Sequence, residues 1–217
     1  MSVGVKICGL STEATMHAAV DAGAHHVGLV FFPKSPRNVS LVDAALLASI
    51  ARGRANVVAL MVNPSDDQVK AVMDEVAPDF FQLHGSETPE RTWEIASLID
   101  QVVIKAIPVL TKADAAVALN YRRGVDQILF DAKPSANALL PGGNGHVFDW
   151  TVLADMRKEF PFILSGGLTV ANVADAIRIA DPMTVDVSSG VESSPGVKDA
   201  DLIRAFVAAA KGTKQPG

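Results

Sequence analysis

Short apolar, β-branched runs alternate with amphipathic, alanine-rich segments along the whole 217-residue chain. This alternation is typical of βα units, in which helices connect parallel strands. The pattern predicts eight strands, at Val3–Cys8, Val27–Phe31, Val57–Val62, Phe80–His84, Val102–Ala106, Gln127–Asp131, Phe162–Ser165 and Thr184–Val187. It predicts eight helices, at residues 12–22, 41–52, 66–76, 88–98, 112–121, 149–158, 170–180 and 199–210.

Eight strands that are each followed by a helix favour an α/β fold of the (β/α)8 TIM-barrel type, with residues 1–217 as a single domain. A doubly wound open sheet is the alternative, but it normally has fewer strands and a phosphate loop after the first one. Ser11 or Thr12, Ser40, Ser65 and Thr88 before Pro89 are start signals for the first four helices.

Side chains in a barrel strand alternate between the barrel interior and the surrounding helices. The polar or ionisable residues with interior parity are Lys6 and Cys8 in the first strand, Gln82 and His84 in the fourth, Asp131 in the sixth, and Asp186 and Ser188 in the eighth. Lys105 of the fifth strand is expected to line the same cavity. Most of these residues lie near the carboxyl ends of the strands, where active sites of such barrels are found.

Composition narrows the possible partners. With 49% hydrophobic and 20% charged residues the chain should fold, and its net charge of −5 argues against nucleic acid or an anionic membrane as a partner. A single cysteine excludes a disulfide framework and a cysteine-cluster metal site. We find neither a secretory signal nor an apolar stretch of roughly 18 residues, so we expect a cytoplasmic protein without membrane contact. No metal-binding or nucleotide-binding motif is present, and we expect neither a metal nor another cofactor.

Two glycine-containing loops predict a phosphate site. Ser165-Gly166-Gly167-Leu168 follows the seventh strand and Ser188-Ser189-Gly190 follows the eighth. Glycines let backbone amides approach a phosphate, and a following helix N-terminus adds a favourable dipole. Either loop alone could simply turn the chain, but phosphate sites of (β/α)8 barrels recur after these two strands.

Cys8 and Asp131 end the first and sixth strands, so a thiol and a carboxyl group should lie on one rim and could act as base and acid. Lys6 on the same face as Cys8 should favour the thiolate. Cys8 could instead be a small buried packing residue, and Asp131 could pair with Lys133 or with a neighbouring strand.

The loop after the second strand, Phe32-Pro33-Lys34-Ser35-Pro36-Arg37, contains two prolines that limit its conformations, which suits a loop that presents Arg37 to a ligand. A guanidinium can bind a carboxylate through two parallel hydrogen bonds, although Arg37 could also be a solvated surface residue. His84 could contact a ligand or be a core histidine. The segment Gly142-Gly143-Asn144-Gly145 could be a substrate-positioning loop or a flexible connection.

Seven segments together, in chain order, resemble the phosphoribosylanthranilate isomerase family. They are Lys6-Ile7-Cys8-Gly9, Phe32-Pro33-Lys34-Ser35-Pro36-Arg37, Gln82-Leu83-His84-Gly85, Phe130-Asp131, Gly142 to Trp150, Leu164 to Leu168, and Val185 to Glu192. The resemblance covers nearly the whole chain and implies an Amadori rearrangement in tryptophan biosynthesis. The substrate would be N-(5-phosphoribosyl)anthranilate, the product 1-(2-carboxyphenylamino)-1-deoxyribulose 5-phosphate, and no cofactor would be needed.

The resemblance also implies residue roles. Asp131 matches the general acid, Cys8 the general base, and Arg37 the contact to the anthranilate carboxylate. We predict that the phosphorylated substrate is contacted by Lys6, Arg37, His84, Gly143, Gly145, Gly166, Gly167, Asp186, Ser188, Ser189 and Gly190. In the glycine-rich loop, Asn144 and His146 stand where the family usually has threonine and lysine, which leaves the contacts of that loop open.

Two other functions compete with this one. A related barrel isomerase of the histidine pathway is expected to have an aspartate where Cys8 stands, and to show stronger half-barrel repetition. A barrel that only binds a phosphosugar would need neither an acid nor a base. The protein is expected to be a monomer or a homodimer.

Overall fold

Eight parallel strands form a closed barrel in a computed structural model that describes residues 3–134, 142 and 147–215. Each strand pairs with the next, and the last pairs with the first. The strands are β1 Gly4–Cys8, β2 His26–Phe31, β3 Asn56–Met61, β4 Phe80–Leu83, β5 Val102–Val109, β6 Gln127–Ala132, β7 Phe162–Leu164 and β8 Thr184–Val187. The predicted (β/α)8 barrel is confirmed.

The helices surround this barrel. The α-helices are α1 Glu13–Asp21, α2 Leu41–Ala51, α3 Asp66–Val76, α4 Pro89–Ala96, α5 Lys112–Ala116, α6 Val173–Ala180 and α7 Ala200–Lys211. The first four begin where the sequence predicts, because the side chains of Thr12, Ser40, Ser65 and Thr88 each accept a hydrogen bond from a backbone amide of the first turn. Among the described residues, no helix combines the length and the apolar character needed to cross a membrane.

The α-helix predicted at 149–158 is wrong. Two short 3-10 helices, Trp150–Leu153 and Met156–Lys158, stand in its place. The Asp149 side chain accepts from the amide of Thr151, only two residues away, which starts the segment as a tight turn of the kind that 3-10 geometry serves. The helix predicted at 112–121 is α5 followed by a 3-10 helix over Val117–Tyr121.

A small antiparallel hairpin between β8 and α7 was not predicted. Its strands are β9 Glu192–Ser194 and β10 Val197–Lys198, and Glu192 is the cross-strand partner of Lys198. The segment is short and mostly polar, so it lacks the apolar alternation that identifies a strand in sequence.

The core has the two layers that the parity argument predicts. Val5 and Ile7 belong to a large cluster between the strands and the helices. A smaller cluster fills the barrel itself, with Val58, Ile104, Ala106, Leu129, Ile163 and the flanking Phe80. The polar interior residues near the carboxyl ends of the strands therefore lie next to a packed apolar cluster that fills the barrel.

Lys105 does not face this interior, so the expectation that it lines the central cavity is wrong. It points toward the helices, where its Nζ lies 3.0 Å from Oε2 of Glu87 and 2.9 Å from the carbonyl oxygens of Gly85 and Ala106. Ile104 and Ala106, its neighbours in β5, are the residues that face inward. Lys105 fastens the loop between β4 and α4 to β5.

Candidate active site

A cavity opens at the carboxyl ends of the barrel strands. The predicted site residues that line it are Cys8, Arg37, His84, Asp131, Gly166, Gly167, Asp186, Ser188, Ser189 and Gly190. Residues from six loops or strand ends thus meet in one place, as the parity of the strands predicts.

Asp131 is held by contacts from two sides. Its Oδ1 accepts from its neighbour, the Ala132 amide, at 2.9 Å, and its Oδ2 lies 3.2 Å from Nε2 of His84. The Gln82 amide nitrogen lies 2.8 Å from Nδ1 of His84. With the amide nitrogen as donor, Nδ1 accepts, and Nε2 can donate to Asp131 when its carboxyl group is ionised. Lys133 pairs with Asp114 at 2.9 Å, so the alternative Lys133 partner for Asp131 is wrong.

Cys8 lines the same cavity and is 4% exposed. Burial raises the pKa of its thiol, because an apolar environment disfavours the thiolate. The positive charge of Lys6 acts in the predicted direction and lowers the pKa, but burial has the larger effect. The resting group is therefore mainly the thiol at neutral pH.

Lys6 lies beneath the cavity rather than in its wall. Its side chain is fully buried, and its Nζ donates to Oδ1 of Asp186 at 2.9 Å. Burial lowers the pKa of Lys6, but the charges of Asp186 and Cys8 more than offset this and raise it above the ordinary value. Lys6 does not line the cavity, whereas its partner Asp186 does, so the direct substrate contact predicted for Lys6 stays a prediction.

Asp186 itself lines the cavity and connects two predicted features. One carboxylate oxygen binds Lys6, and the other accepts from the hydroxyl of Ser165 at 3.2 Å. Ser165 begins the first glycine loop. The ion pair below Cys8 is therefore joined to the loop after β7.

The two glycine loops lie side by side at the carboxyl ends of β7 and β8. Gly166 has a φ of +91°, a conformation that residues with a side chain rarely adopt. A Cβ on Gly190 would overlap the carbonyl oxygen of Leu168, so the two loops touch only because Gly190 has no side chain. This close approach leaves backbone amides at the surface where a phosphate can reach them.

The helix dipole predicted to assist these loops is weaker than expected. After β8 there is a single 3-10 turn, Ser189–Val191, and α6 begins only at Val173, six residues after Gly167. The macrodipole effect fades with distance and needs a helix of some length. Anion binding at these loops therefore depends more on backbone amides and local cations, and less on a helix dipole, than predicted.

Arg37 is buried, so its alternative as a solvated surface arginine is wrong. Its Nε and one Nη bind the two carboxylate oxygens of Glu192 at 2.7 and 2.9 Å. Glu192 also pairs with Lys198. No role was predicted for Glu192 or Lys198. Glu192 ends the family-like segment Val185 to Glu192, and Lys198 carried no signal beyond its charge.

Part of the predicted glycine-rich loop lies outside the described residues. Gly143 and Gly145, predicted to contact the substrate, are in this group, as are Asn144 and His146. Gly142 is described and lines the cavity.

Fold and cavity define a (β/α)8-barrel enzyme with a carboxyl group, a thiol and paired glycine loops at the carboxyl ends of its strands. A family-wide sequence model for N-(5'phosphoribosyl)anthranilate (PRA) isomerase matches residues 5–209. The chain belongs to this family.

Individual relatives agree with this assignment. An N-(5'-phosphoribosyl)anthranilate isomerase of Rhodopseudomonas palustris (strain BisA53) is 54% identical over 215 residues, which is 99% of each chain. Monomers generated from the dimeric phosphoribosylanthranilate isomerase of Thermotoga maritima are 38% identical with a TM-score of 0.84, over 97% of this chain and 99% of theirs. A phosphoribosyl anthranilate isomerase in complex with reduced 1-(o-carboxyphenylamino)-1-deoxyribulose 5-phosphate has the same identity, TM-score and coverage.

Proposed function

We propose that this protein converts N-(5-phosphoribosyl)anthranilate into 1-(2-carboxyphenylamino)-1-deoxyribulose 5-phosphate in tryptophan biosynthesis, with Asp131 as general acid and Cys8 as general base. The observation that carries the proposal is that both residues line one cavity together with the glycine loops. An acid and a base on one cavity wall are what an isomerisation needs and what simple binding does not.

In the first step, the Asp131 carboxyl group protonates the ring oxygen of the ribose. The bond between that oxygen and sugar carbon 1 breaks, and the lone pair of the anilino nitrogen forms a C=N bond to give an iminium ion. The hydrogen bonds from His84 and the Ala132 amide support this role, since they hold the Asp131 carboxyl group in one orientation.

In the second step, the Cys8 thiolate removes the proton from carbon 2, and the electrons move through carbon 1 to neutralise the iminium nitrogen. The resulting enolamine then gains a proton at carbon 1 and loses the proton of the hydroxyl group on carbon 2, which gives the ketone. Substrate and product therefore contain the same atoms. The positive iminium supports the thiolate just when it is needed and offsets the burial that disfavours it.

Arg37 binds the anthranilate carboxylate in this proposal, and the loops at 165–168 and 188–190 bind the phosphate. Two of the five N–H donors of Arg37 bind Glu192, and the other three are left for a ligand. Gly166, Gly167 and Gly190 supply the close backbone approach that phosphate requires.

The remaining proposals concern the whole chain. We propose that residues 1–217 form one domain, which is supported by closure of the barrel through the pairing of β8 with β1. We also propose that the protein is cytoplasmic. Of the two expected forms, monomer and homodimer, the dimeric relative from Thermotoga maritima supports the homodimer. Light scattering during gel filtration distinguishes a dimer from a monomer.

The direct test is loss of anthranilate-type fluorescence when purified protein is mixed with phosphoribosylanthranilate. We expect turnover without added metal or nucleotide, and the same rate after treatment with a chelator. No turnover above background at micromolar enzyme would overturn the proposal. Faster turnover of the corresponding histidine-pathway aminoaldose would transfer the assignment to that reaction.

The raised thiol pKa predicts the pH dependence of kcat/KM. The active form needs a protonated acid and a deprotonated thiol, although a carboxyl group ordinarily ionises at lower pH than a thiol does. That form is a constant small fraction between the two pKa values, and it declines once pH exceeds the pKa of the thiol. Because burial raises the Cys8 pKa, we expect the alkaline decline to begin above the ordinary thiol value of about 8.5.

Steady-state kinetics from pH 5 to pH 10 check this expectation. The thermal midpoint measured over the same range identifies any loss of activity that is due to unfolding. A decline that is complete below pH 8 while the protein stays folded would contradict the role of a buried thiol as the base.

A further inference from the structure

A buried chain of charged contacts runs from the Arg37 loop to the loop after β8. Arg37 binds both carboxylate oxygens of Glu192, and Glu192 pairs with Lys198. The Nζ of Lys198 donates to the carbonyl oxygen and the hydroxyl of Ser188, at 3.0 and 3.1 Å. Arg37 and Ser188 both line the cavity, so this chain joins two parts of its wall through residues behind them.

The network is almost completely removed from water. The side chains of Arg37, Glu192 and Lys198 are 8%, 4% and 1% exposed. Burial raises the pKa of Glu192, but the hydrogen bond from Arg37 and the charge of Lys198 outweigh it and hold the pKa at about 2. Glu192 is therefore ionised at neutral pH and pairs with both Arg37 and Lys198.

The donors of the two cations are used differently. Lys198 has three N–H donors, and Glu192 with the two oxygens of Ser188 uses all three. The Arg37 guanidinium has five, and two of them bind Glu192. Within the part of the chain that is described, the other three have no protein acceptor. Arg37 is thus equipped to bind a ligand directly, whereas Lys198 acts through Ser188.

The unpredicted hairpin explains how Glu192 meets Lys198. The two residues are cross-strand partners in β9 and β10, and the amide of Gly196 in the connecting turn donates to Oε2 of Glu192 at 3.1 Å. Glu192 therefore has contacts that fix both carboxylate oxygens. Because its carboxylate is fixed and binds Arg37 through two parallel hydrogen bonds, Glu192 holds the guanidinium of Arg37 in a single orientation.

We propose that Glu192 is a positioning residue that makes the site selective for a ligand with an aryl carboxylate by aligning Arg37, and that through Lys198 it also holds Ser188 of the phosphate loop in place. The inference rests on the proposed function, because it takes Arg37 as the contact to the carboxylate. It adds that Arg37 recognises the carboxylate only while Glu192 holds it.

Two ligands measure this selectivity separately from catalysis. One is the reduced form of 1-(o-carboxyphenylamino)-1-deoxyribulose 5-phosphate, and the other is the same compound without the ring carboxylate. The ratio of their Kd values reports what the carboxylate contributes. We expect Glu192→Gln to reduce this ratio about tenfold, as for one misaligned charge-assisted hydrogen bond. A glutamine has the same size but only one acceptor oxygen. Its NH2 group would face either the Arg37 Nη and the Gly196 amide, which are donors to Oε2, or Arg37 Nε and Lys198, which are donors to Oε1.

Glu87→Gln is the matched control. Glu87 forms a similarly buried ion pair with Lys105, with side chains 1% and 2% exposed, outside the central cavity. The control should lose comparable stability but keep the wild-type ratio of the two Kd values. If Glu192→Gln does not fold, Glu192→Asp keeps the charge with a shorter reach and should lower the ratio by about threefold. A wild-type ratio in the folded Glu192 variant would overturn the inference.

Lys198→Met tests the connection to the phosphate loop. It should weaken both ligands by a similar factor, about fivefold, because Ser188 loses the contacts that hold it. Wild-type binding of the ligand without carboxylate would overturn this part of the inference.

Arg37→Met separates failure of this inference from failure of the proposed function. A lower ratio for Arg37→Met with an unchanged ratio for Glu192→Gln leaves Arg37 as the carboxylate contact and overturns only the role of Glu192. An unchanged ratio for Arg37→Met overturns both the Arg37 contact and the inference built on it.

Discussion

Asp131→Asn is expected to lower kcat by about 10²–10⁴-fold, the usual contribution of a positioned general acid. Asparagine has nearly the same shape but no proton to give to the ring oxygen. One of its two terminal atoms is a donor, so it faces either the Ala132 amide or Nε2 of His84 less favourably than the carboxylate does. The fluorescence assay under steady-state conditions measures the loss.

Asp155→Asn is a suitable control, because Asp155 is an exposed carboxylate paired with Lys112 and does not line the cavity. Its kcat should stay within about twofold of wild type, as is usual for surface changes. Circular dichroism and the thermal midpoint show whether the Asp131 variant is folded. A folded Asp131→Asn protein with near-wild-type kcat would refute the role of Asp131 as the acid.

Cys8→Ser should also reduce kcat by about 10²–10⁴-fold, because a serine hydroxyl does not ionise in the range in which a thiol does. Cys8→Ala distinguishes catalysis from packing. If Cys8 were only the small buried residue considered as the alternative, alanine would retain its packing and most of its activity. We expect alanine to be as inactive as serine.

Single-turnover kinetics locate the defect of the Cys8 variants. If Cys8 is the base, ligand binding should change little while the rate of the chemical step falls. The reduced product analogue supplies the binding measurement, and its Kd should stay within about threefold of wild type. A Cys8→Ala protein with wild-type turnover would assign Cys8 to packing and leave the base unidentified.

The barrel was predictable because its main determinants are local. Strand and helix periodicity are properties of consecutive residues, and capping depends on residues three apart, such as Ser65 and Gln68. Side-chain parity then predicted that Cys8, Asp131 and Asp186 share an interior. The prediction failed for 149–158, where a cap at Asp149 sets a tight turn, and for the hairpin, whose polar sequence carries no periodic signal.

The sequence predicted most of the residues that line the candidate site, but it did not predict which side chains form ion pairs with one another. Lys6 has the interior parity that the sequence indicates, yet it pairs with Asp186 and does not itself line the cavity. Lys105 was placed inside, although it faces Glu87 among the helices. Parity says on which side of a strand a residue lies, but it does not say how deep the residue sits or which charge meets it.

Sequence alone determined the alternation of strands and helices, the closed barrel that follows from eight such units, and the meeting of a carboxyl group, a thiol and two glycine loops at one end of it. The three-dimensional structure decided the electrostatics. Arg37 meets Glu192 across 155 residues of chain, and Lys6 meets Asp186 across 180. Such contacts depend on closure of the barrel and on the burial it imposes, and burial is also what raises the pKa of Cys8.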